Sequence, residues 1–118
     1  MRTTGVLIAI TLAGAACAPV DRCDATSDVA KDSALLATQQ FVRDKLRAPA
    51  TAQFPTNSRD PGVSLALTGP CRWTISGHVD AQNAFGAMIR STYTLVTTVE
   101  DDGTYRLESL WIDGAPQT

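Results

Sequence analysis

The sequence predicts an α+β fold in which one N-terminal helix packs on an antiparallel meander of about four strands. Three observations predict this class. Residues 27–47 carry apolar side chains at spacings of three and four, several later stretches alternate apolar and polar residues, and turn-forming residues separate those stretches. Neither an amphipathic helix nor a half-apolar sheet buries its own apolar face, so we expect the helix to cover the sheet.

The N-terminal end of the 118-residue chain has the pattern of a secretory signal peptide, over residues 1–16. Arg2 supplies an early positive charge, an apolar run of about a dozen residues follows, and small residues precede Cys17. The run is shorter than the about 20 apolar residues that a membrane-spanning helix needs. Export is therefore the expected fate of this chain.

The segment Leu12–Cys17, L-A-G-A-A-C, resembles the lipobox of bacterial lipoprotein precursors. The resemblance implies that Cys17 is lipidated and anchors the chain to a membrane, facing the periplasm. Gly14 departs from the pattern, because a larger aliphatic residue usually stands there. Ordinary cleavage after Ala15, giving a soluble periplasmic or secreted protein, is the alternative.

The rest of the chain divides into a tether at 17–26, a single α+β domain at 27–113 and a loose tail at 114–118. The alternative for the first of these segments is a loop held by Cys23. If Cys17 carries lipid, Cys23 and Cys71 remain as a pair that can form a disulfide in an oxidising compartment. The alternative is that Cys71 is buried as a small hydrophobic residue.

The charge balance excludes one class of partner. From Cys17 onward the chain has nine Lys and Arg against twelve Asp and Glu, and it has no basic stripe. Binding to nucleic acid is therefore not expected.

The helix is predicted to begin near Ser27, which supplies an N-cap oxygen, and to end before Pro49. Arg43, Lys45 and Arg47 cluster at its C-terminal turn, where the helix dipole favours cations; a phosphate site is the less favoured interpretation. After it, Phe54 is predicted to be a single apolar plug in a connector. The stripe expected to face the sheet comprises Ala34, Leu35, Thr38, Phe41, Val42 and Lys45–Leu46.

Four strands are predicted from alternation, at residues 63–67, 71–80, 87–100 and 105–112. Asp101–Thr104, D-D-G-T, is a hairpin signal between the last two. The alternation fails over Ser109–Ile112, which predicts a bulge or a strand buried on both faces.

The segment Asp80–Arg90, D-A-Q-N-A-F-G-A-M-I-R, connects the two longest predicted strands. We interpret it as a structural connector: Asp80 and Asn83 bond backbone groups, Phe85 plugs the edge of the core, and Gly86 takes a left-handed angle. Gln82 and Asn83 remain the candidate contacts for a partner.

Two segments resemble a recurrent small domain of bacteria and phages. Phe41–Pro55 is similar to F-V-K-D-x-L-x-x-P-x-T-A-x-F-P, and Gly77–Arg90 is similar to G-Y-V-D-A-Q-N-x-F-G-A, with His78 where tyrosine is common. The resemblance covers about residues 35–112. It implies a portable module found behind signal peptides, membrane segments or zinc ribbons, and it implies no catalytic residues.

Ser76, His78 and Asp80 lie on one face of a predicted strand, but same-face neighbours are about 6.6–6.8 Å apart, too far for a catalytic relay. The chain has one histidine, no C-x-x-C pair and no G-x-G-x-x-G fingerprint, so no metal or cofactor is expected.

The expected function is a non-enzymatic envelope lipoprotein that binds another envelope protein. The alternatives are a phage-derived or defence-type inhibitor of an envelope enzyme or of superinfection and, further behind, a small hydrolase.

Overall fold

The computed structural model describes residues 22–117, which form one α-helix and a five-stranded antiparallel sheet. Each strand pairs with its neighbours along the chain, so the sheet is a meander. The helix precedes the strands, and the predicted α+β class is confirmed. The elements are α1 at Asp28–Arg43, a 3-10 helix at Pro49–Thr51, β1 at Ser64–Gly69, β2 at Arg72–Gln82, β3 at Met88–Val99, β4 at Tyr105–Ile112 and β5 at Ala115–Pro116.

Helix α1 begins as its capping residue predicts. The Ser27 hydroxyl accepts a hydrogen bond from the Ala30 backbone N–H at 3.1 Å, which satisfies one unpaired group of the first turn. The helix ends at Arg43, because the N–H groups of Lys45 and Leu46 bond to carbonyls only three residues back. The predicted end of the helix, just before Pro49, is therefore wrong, although Leu46 still packs against the core. Pro49 starts the 3-10 helix instead of ending α1.

The core lies between α1 and one face of the sheet. Alternate residues of β2 and β3 are buried, as the period of two in the sequence predicts. The buried core residues are Ala30, Ala34, Leu35 and Val42 of α1, Trp73, Ile75 and Val79 of β2, Tyr93, Leu95 and Val99 of β3, and Leu110 of β4.

The connector after α1 packs along the sheet. Phe54 is partly buried against the core, with its ring centroid 6.2 Å from that of Tyr93 in an edge-to-face contact, as expected for an apolar plug. The Arg43 guanidinium lies 5.0 Å from the Phe54 ring centroid. Gln53 extends the sheet beside β2, because its backbone exchanges two hydrogen bonds with Asp80, of 2.8 and 3.0 Å.

Strand β4 contains the predicted irregularity. Val96 lies opposite Ser109 but Thr97 lies opposite Leu107, so Glu108 is an extra residue and forms a bulge. The buried Thr97 hydroxyl donates to the Arg106 carbonyl at 2.9 Å.

The C-terminal segment is more ordered than a loose tail. Asp113 and Gly114 both have left-handed backbone angles, with φ of 50° and 80°, and they turn the chain back onto β4. Ala115–Pro116 then pairs with β4 as β5. The sequence shows no alternation over two residues, so this strand could not be predicted from its pattern.

The N-terminal boundary of the domain also differs from the prediction. The Trp73 indole Nε1 donates to the Arg22 carbonyl at 2.9 Å, and the Arg22 guanidinium donates to the Gly103 carbonyl at 3.4 Å. Cys23 and Cys71 are joined by a disulfide, with their Cα atoms 4.8 Å apart. Arg22 and Cys23, expected in the tether, are thus held against the sheet, which agrees with the alternative of a loop held by Cys23. The predicted signal peptide, 1–16, and Cys17 lie outside the described residues.

Candidate interaction site

The β2–β3 hairpin is held by the side chain of Asn83. Its Oδ1 accepts hydrogen bonds from the backbone N–H groups of Phe85, at 2.9 Å, and Ala87, at 3.1 Å. Gly86 has a φ of +83°, the left-handed angle expected for it, and its N–H donates to the Asn83 carbonyl at 3.0 Å. Asn83 is therefore primarily a turn residue, while Gln82 beside it is exposed.

Asp80 does not bond the turn with its side chain, contrary to expectation. Its carboxylate accepts two hydrogen bonds from the Arg90 guanidinium, at 2.8 and 2.9 Å, because the two residues face each other across β2 and β3. These bonds lower the pKa of Asp80 and raise the pKa of Arg90. The ion pair clamps the two strands next to the hairpin.

Phe85, expected at the edge of the core, is 94% exposed at the tip of the hairpin. The reason is its place in the turn: the hairpin extends past the end of α1, so no core lies beneath it. Met88 and Ile89, at the start of β3, are also about half exposed. Met88 and Ile89 are consecutive in the strand, so their side chains point to opposite faces of the sheet. We call Phe85, Met88 and Ile89 together the hairpin tip.

A groove of about 230 Å³ lies beside the hairpin tip, on the same face of the sheet as α1. Val79, Ala81 and Ile89 supply apolar surface to it. Gln82 and Asn83, the predicted partner contacts, both line it. The groove exists because α1 ends at Arg43 and leaves this end of the sheet uncovered.

The opposite wall of the groove is basic. Leu46 and the flanking Lys45 and Arg47 contribute to the lining, and no acidic residue between positions 22 and 117 does. Both cations were expected at the last turn of the helix. Arg43, the third cation expected there, does lie in that turn, whereas Lys45 and Arg47 lie beyond the end of the helix. No sequence signal places them opposite Gln82, because that proximity depends on where the helix stops.

Ser76, His78 and Asp80 share one face of β2, as predicted, but each is engaged separately. The Ser76 hydroxyl lies 3.1 Å from that of Thr94, and Asp80 binds Arg90. The nearest carboxylate to His78 Nε2 is Asp60, at 3.6 Å. The three side chains therefore do not form the relay that nucleophilic catalysis requires.

Within residues 22–117, no group of three or more His, Cys, Asp or Glu side chains is arranged to hold a metal ion. Over the same residues, neither α1 nor any other helix has the length and the apolar composition needed to cross a membrane.

Comparison with protein-family models, with curated proteins and with solved structures finds no match to this chain. The resemblance of Phe41–Pro55 and Gly77–Arg90 to a bacterial and phage domain therefore stays a prediction from the motifs.

Proposed function

We propose that this protein is a non-enzymatic lipoprotein of the bacterial cell envelope, anchored through Cys17, that binds another envelope protein with its β2–β3 hairpin. One observation carries the proposal: the disulfide-linked segment and the exposed hairpin lie at opposite ends of the sheet. The disulfide and Arg22 lie at one end, which we call the tether pole. The hairpin tip and the groove lie at the other, which we call the hairpin pole.

The distances suit a protein displayed from a membrane. Strand β2 has 11 residues, so the two poles are about 33 Å apart. Arg22 is five residues after Cys17 in the sequence, so the chain between them can span at most about 18 Å. A lipid on Cys17 would hold the tether pole close to the bilayer and allow the hairpin pole to reach about 50 Å into the periplasm.

The hairpin pole has the composition of a protein-binding surface. Phe85 is 94% exposed, and Met88 and Ile89, at the start of β3, add one half-exposed apolar side chain on each face of the sheet. Aromatic residues and methionine are enriched at protein interfaces, while lysine is depleted there. The basic wall at Lys45 and Arg47 then corresponds to a polar rim.

A second function is favoured by the shape of the hairpin. Phe85 protrudes on a tight turn that its own hydrogen bonds hold, so it suits insertion into a concave site. The same surface would serve an inhibitor of an envelope enzyme. Recovery of a stoichiometric enzyme whose activity falls on binding supports this version, and recovery of an envelope complex without loss of activity supports the first.

The anchor is tested by growing cells with a palmitate analogue that carries a chemical handle. We expect labelling of the wild-type protein and none of the Cys17→Ser variant. Absence of label in the wild type, or equal label in both, contradicts the lipid anchor.

The binding surface is tested by cross-linking in intact cells, followed by purification of the protein and its cross-linked partner. We expect Phe85→Ala to reduce the recovered partner strongly. Leu36→Ala is the matched control, because Leu36 is a large apolar residue, 50% exposed, on α1. Equal recovery with the wild type, Phe85→Ala and Leu36→Ala contradicts binding through the hairpin.

A further inference from the structure

Part of β3 has one open edge. Strand β3 pairs with β2 from Met88 onward, but its pairing with β4 begins only at Tyr93. Asp113 ends that pairing: its N–H donates to the Thr92 carbonyl at 2.8 Å, and its carboxylate accepts from the Thr92 N–H at 3.0 Å. The chain then turns away at Gly114, so within the described residues no strand lies beside Met88–Ser91 on that side.

The direction of the backbone groups at this edge follows from β2. Asp80 bonds Gln53 through its backbone, and the Gln82 N–H donates to the Thr51 hydroxyl at 2.9 Å. Both residues therefore direct their backbone groups away from β3. In an antiparallel pair, residues opposite such positions also point outward.

Arg90 lies opposite Asp80, and Met88 lies opposite Gln82. Their backbone N–H and C=O groups consequently face the open edge, which gives two donors and two acceptors in the spacing of a strand. Such a row is a template for pairing with another chain.

The groove lies directly beside this edge. Ile89 and Ser91 point into it from β3, and Ile112 lines it where β4 ends. A strand added along Met88–Ser91 would continue the line of β4, and every second side chain of that strand would enter the groove. An apolar side chain there would cover Ile89. An acidic one two residues on would reach the wall formed by Lys45 and Arg47.

We propose that the partner binds by adding an extended strand to the open edge of β3, with apolar and acidic side chains in alternation on the face that enters the groove. The proposal names the partner class for the interaction function above and rests on that function. Backbone hydrogen bonds supply the affinity in this mode of binding, and the groove supplies the choice of sequence.

A second copy of the chain is disfavoured as the occupant. A symmetric pairing of two β3 edges would place Lys45 and Arg47 of both copies on one face of the joined sheet. Like charges in proximity oppose such an association, whereas carboxylates on a different partner complement them. The charge of the groove therefore selects an acidic segment.

The probe for a test is a blocked peptide, Val-Thr-Glu-Thr-Val-Thr-Glu-Thr, which presents alternating valine and glutamate on one face as a strand. The full chain, purified in mild detergent, is titrated with it by NMR. We expect saturable binding that weakens with salt and about fivefold or greater loss of affinity when lysine replaces both glutamates. Equal affinity for the two peptides overturns the acidic preference.

Met88→Pro tests the edge itself. Proline removes an outward N–H at the first residue of the strand, a position that tolerates it, and leaves the bonds to β2 intact. We expect about fivefold weaker peptide binding for Met88→Pro than for Met88→Ala, which removes the same side chain. Equal affinity of the two variants contradicts strand addition.

Hydrogen exchange gives a readout that does not depend on variants. On peptide binding, the amides of Met88 and Arg90 should become protected at least about tenfold. Protection elsewhere with none at these two amides overturns the proposal. Arg47→Glu should weaken binding about fivefold, while Arg59→Glu, an equal charge change beside Asp28 at the start of α1, should not.

The inference and the proposed function fail in different ways. If the peptide does not bind but cells still yield a partner that depends on Phe85, strand addition is wrong and the interaction function stands. If palmitate labelling and partner recovery both fail while the peptide protects Arg90, the edge binds strands but the envelope function is wrong.

Discussion

The tether pole and the hairpin pole are two ends of the same strands, and they are stabilised differently. At the tether pole a disulfide and the bond from Trp73 to the Arg22 carbonyl join segments about 50 residues apart in sequence. At the hairpin pole the turn is held mainly by Asn83 and by the ion pair of Asp80 with Arg90, which are local contacts. A covalent cross-link fixes the end near the predicted anchor. At the other end the bonds to Gln53 and Thr51 reach only as far as Asp80 and Gln82, and local contacts hold the turn beyond them.

The largest effect is expected from removing the disulfide. Combining Cys23→Ser with Cys71→Ser should lower the free energy of unfolding by about 3–4 kcal/mol, because the bridge closes a long loop in the unfolded chain. Urea unfolding with and without reductant measures this. Reductant should destabilise the wild type and leave the double variant unchanged. A loss below about 1 kcal/mol would mean that the tether pole does not depend on the bridge.

Tyr93 lies between the poles and provides a reference in the core. Burial raises the pKa of Tyr93 to about 12, and its hydroxyl has no hydrogen-bond partner among the described residues. A phenol whose pKa is raised on folding stabilises the fold below its unfolded pKa of about 10, and this stabilisation is lost as the pH rises toward 12. The free energy of unfolding should fall by about 2 kcal/mol over this pH range.

Tyr93→Phe should be close to neutral at pH 7 and should remove most of this alkaline dependence, in denaturant unfolding between pH 9 and about 12. Tyr105→Phe is the comparison: burial also raises the pKa of the Tyr105 phenol, but Tyr105 is only partly buried, so this variant should remove a smaller part of the dependence. An unchanged pH profile in Tyr93→Phe would contradict the burial of this hydroxyl.

At the hairpin pole, Asn83→Ala should lower the free energy of unfolding by about 1 kcal/mol. The substitution removes the acceptor of two backbone N–H groups, which then bond to water instead. Gln82→Ala, beside it, should change stability by less than about 0.5 kcal/mol. Thermal unfolding compares them. Equal effects would mean that the turn does not depend on the Asn83 side chain.

The smallest effect on stability is expected at the hairpin tip. Phe85→Ala should change the free energy of unfolding by less than about 0.5 kcal/mol, since the ring is 94% exposed and covers little of the core. The same variant should reduce partner recovery from cells strongly. A large loss of stability would instead mark Phe85 as a structural residue, as its sequence position first suggests.

The pattern of the sequence predicts the fold well where a period governs it. Alternation in β2 and β3 identifies Trp73, Ile75, Tyr93 and Leu95 as core residues, and the structure buries all four. The failure of alternation near Ser109 predicts the bulge. These features depend on local geometry, which the sequence records residue by residue.

The features of the candidate site depend on where helix α1 and strand β4 end. The apolar periodicity of the sequence does not reveal these end points. Phe85 looks like a core residue by type, yet the hairpin carries it past the end of α1. The edge at Met88–Ser91 is open because Asp113 ends the pairing of β4. The sequence signal for this edge is strand length: the predicted strand at 87–100 is longer than that at 105–112, and in the structure β3 has 12 residues and β4 has 8.

The most direct test of the difference between the poles is amide hydrogen exchange along β3 in the free protein. Arg90 and Thr94 both direct their N–H groups toward the β4 side, but Thr94 lies opposite Trp111 whereas Arg90 faces the open edge. We predict fast exchange at Arg90 and slow exchange at Thr94, with Ser91, which pairs with Val79 of β2, also slow. Equal protection of Arg90 and Thr94 would contradict an open edge at the hairpin pole.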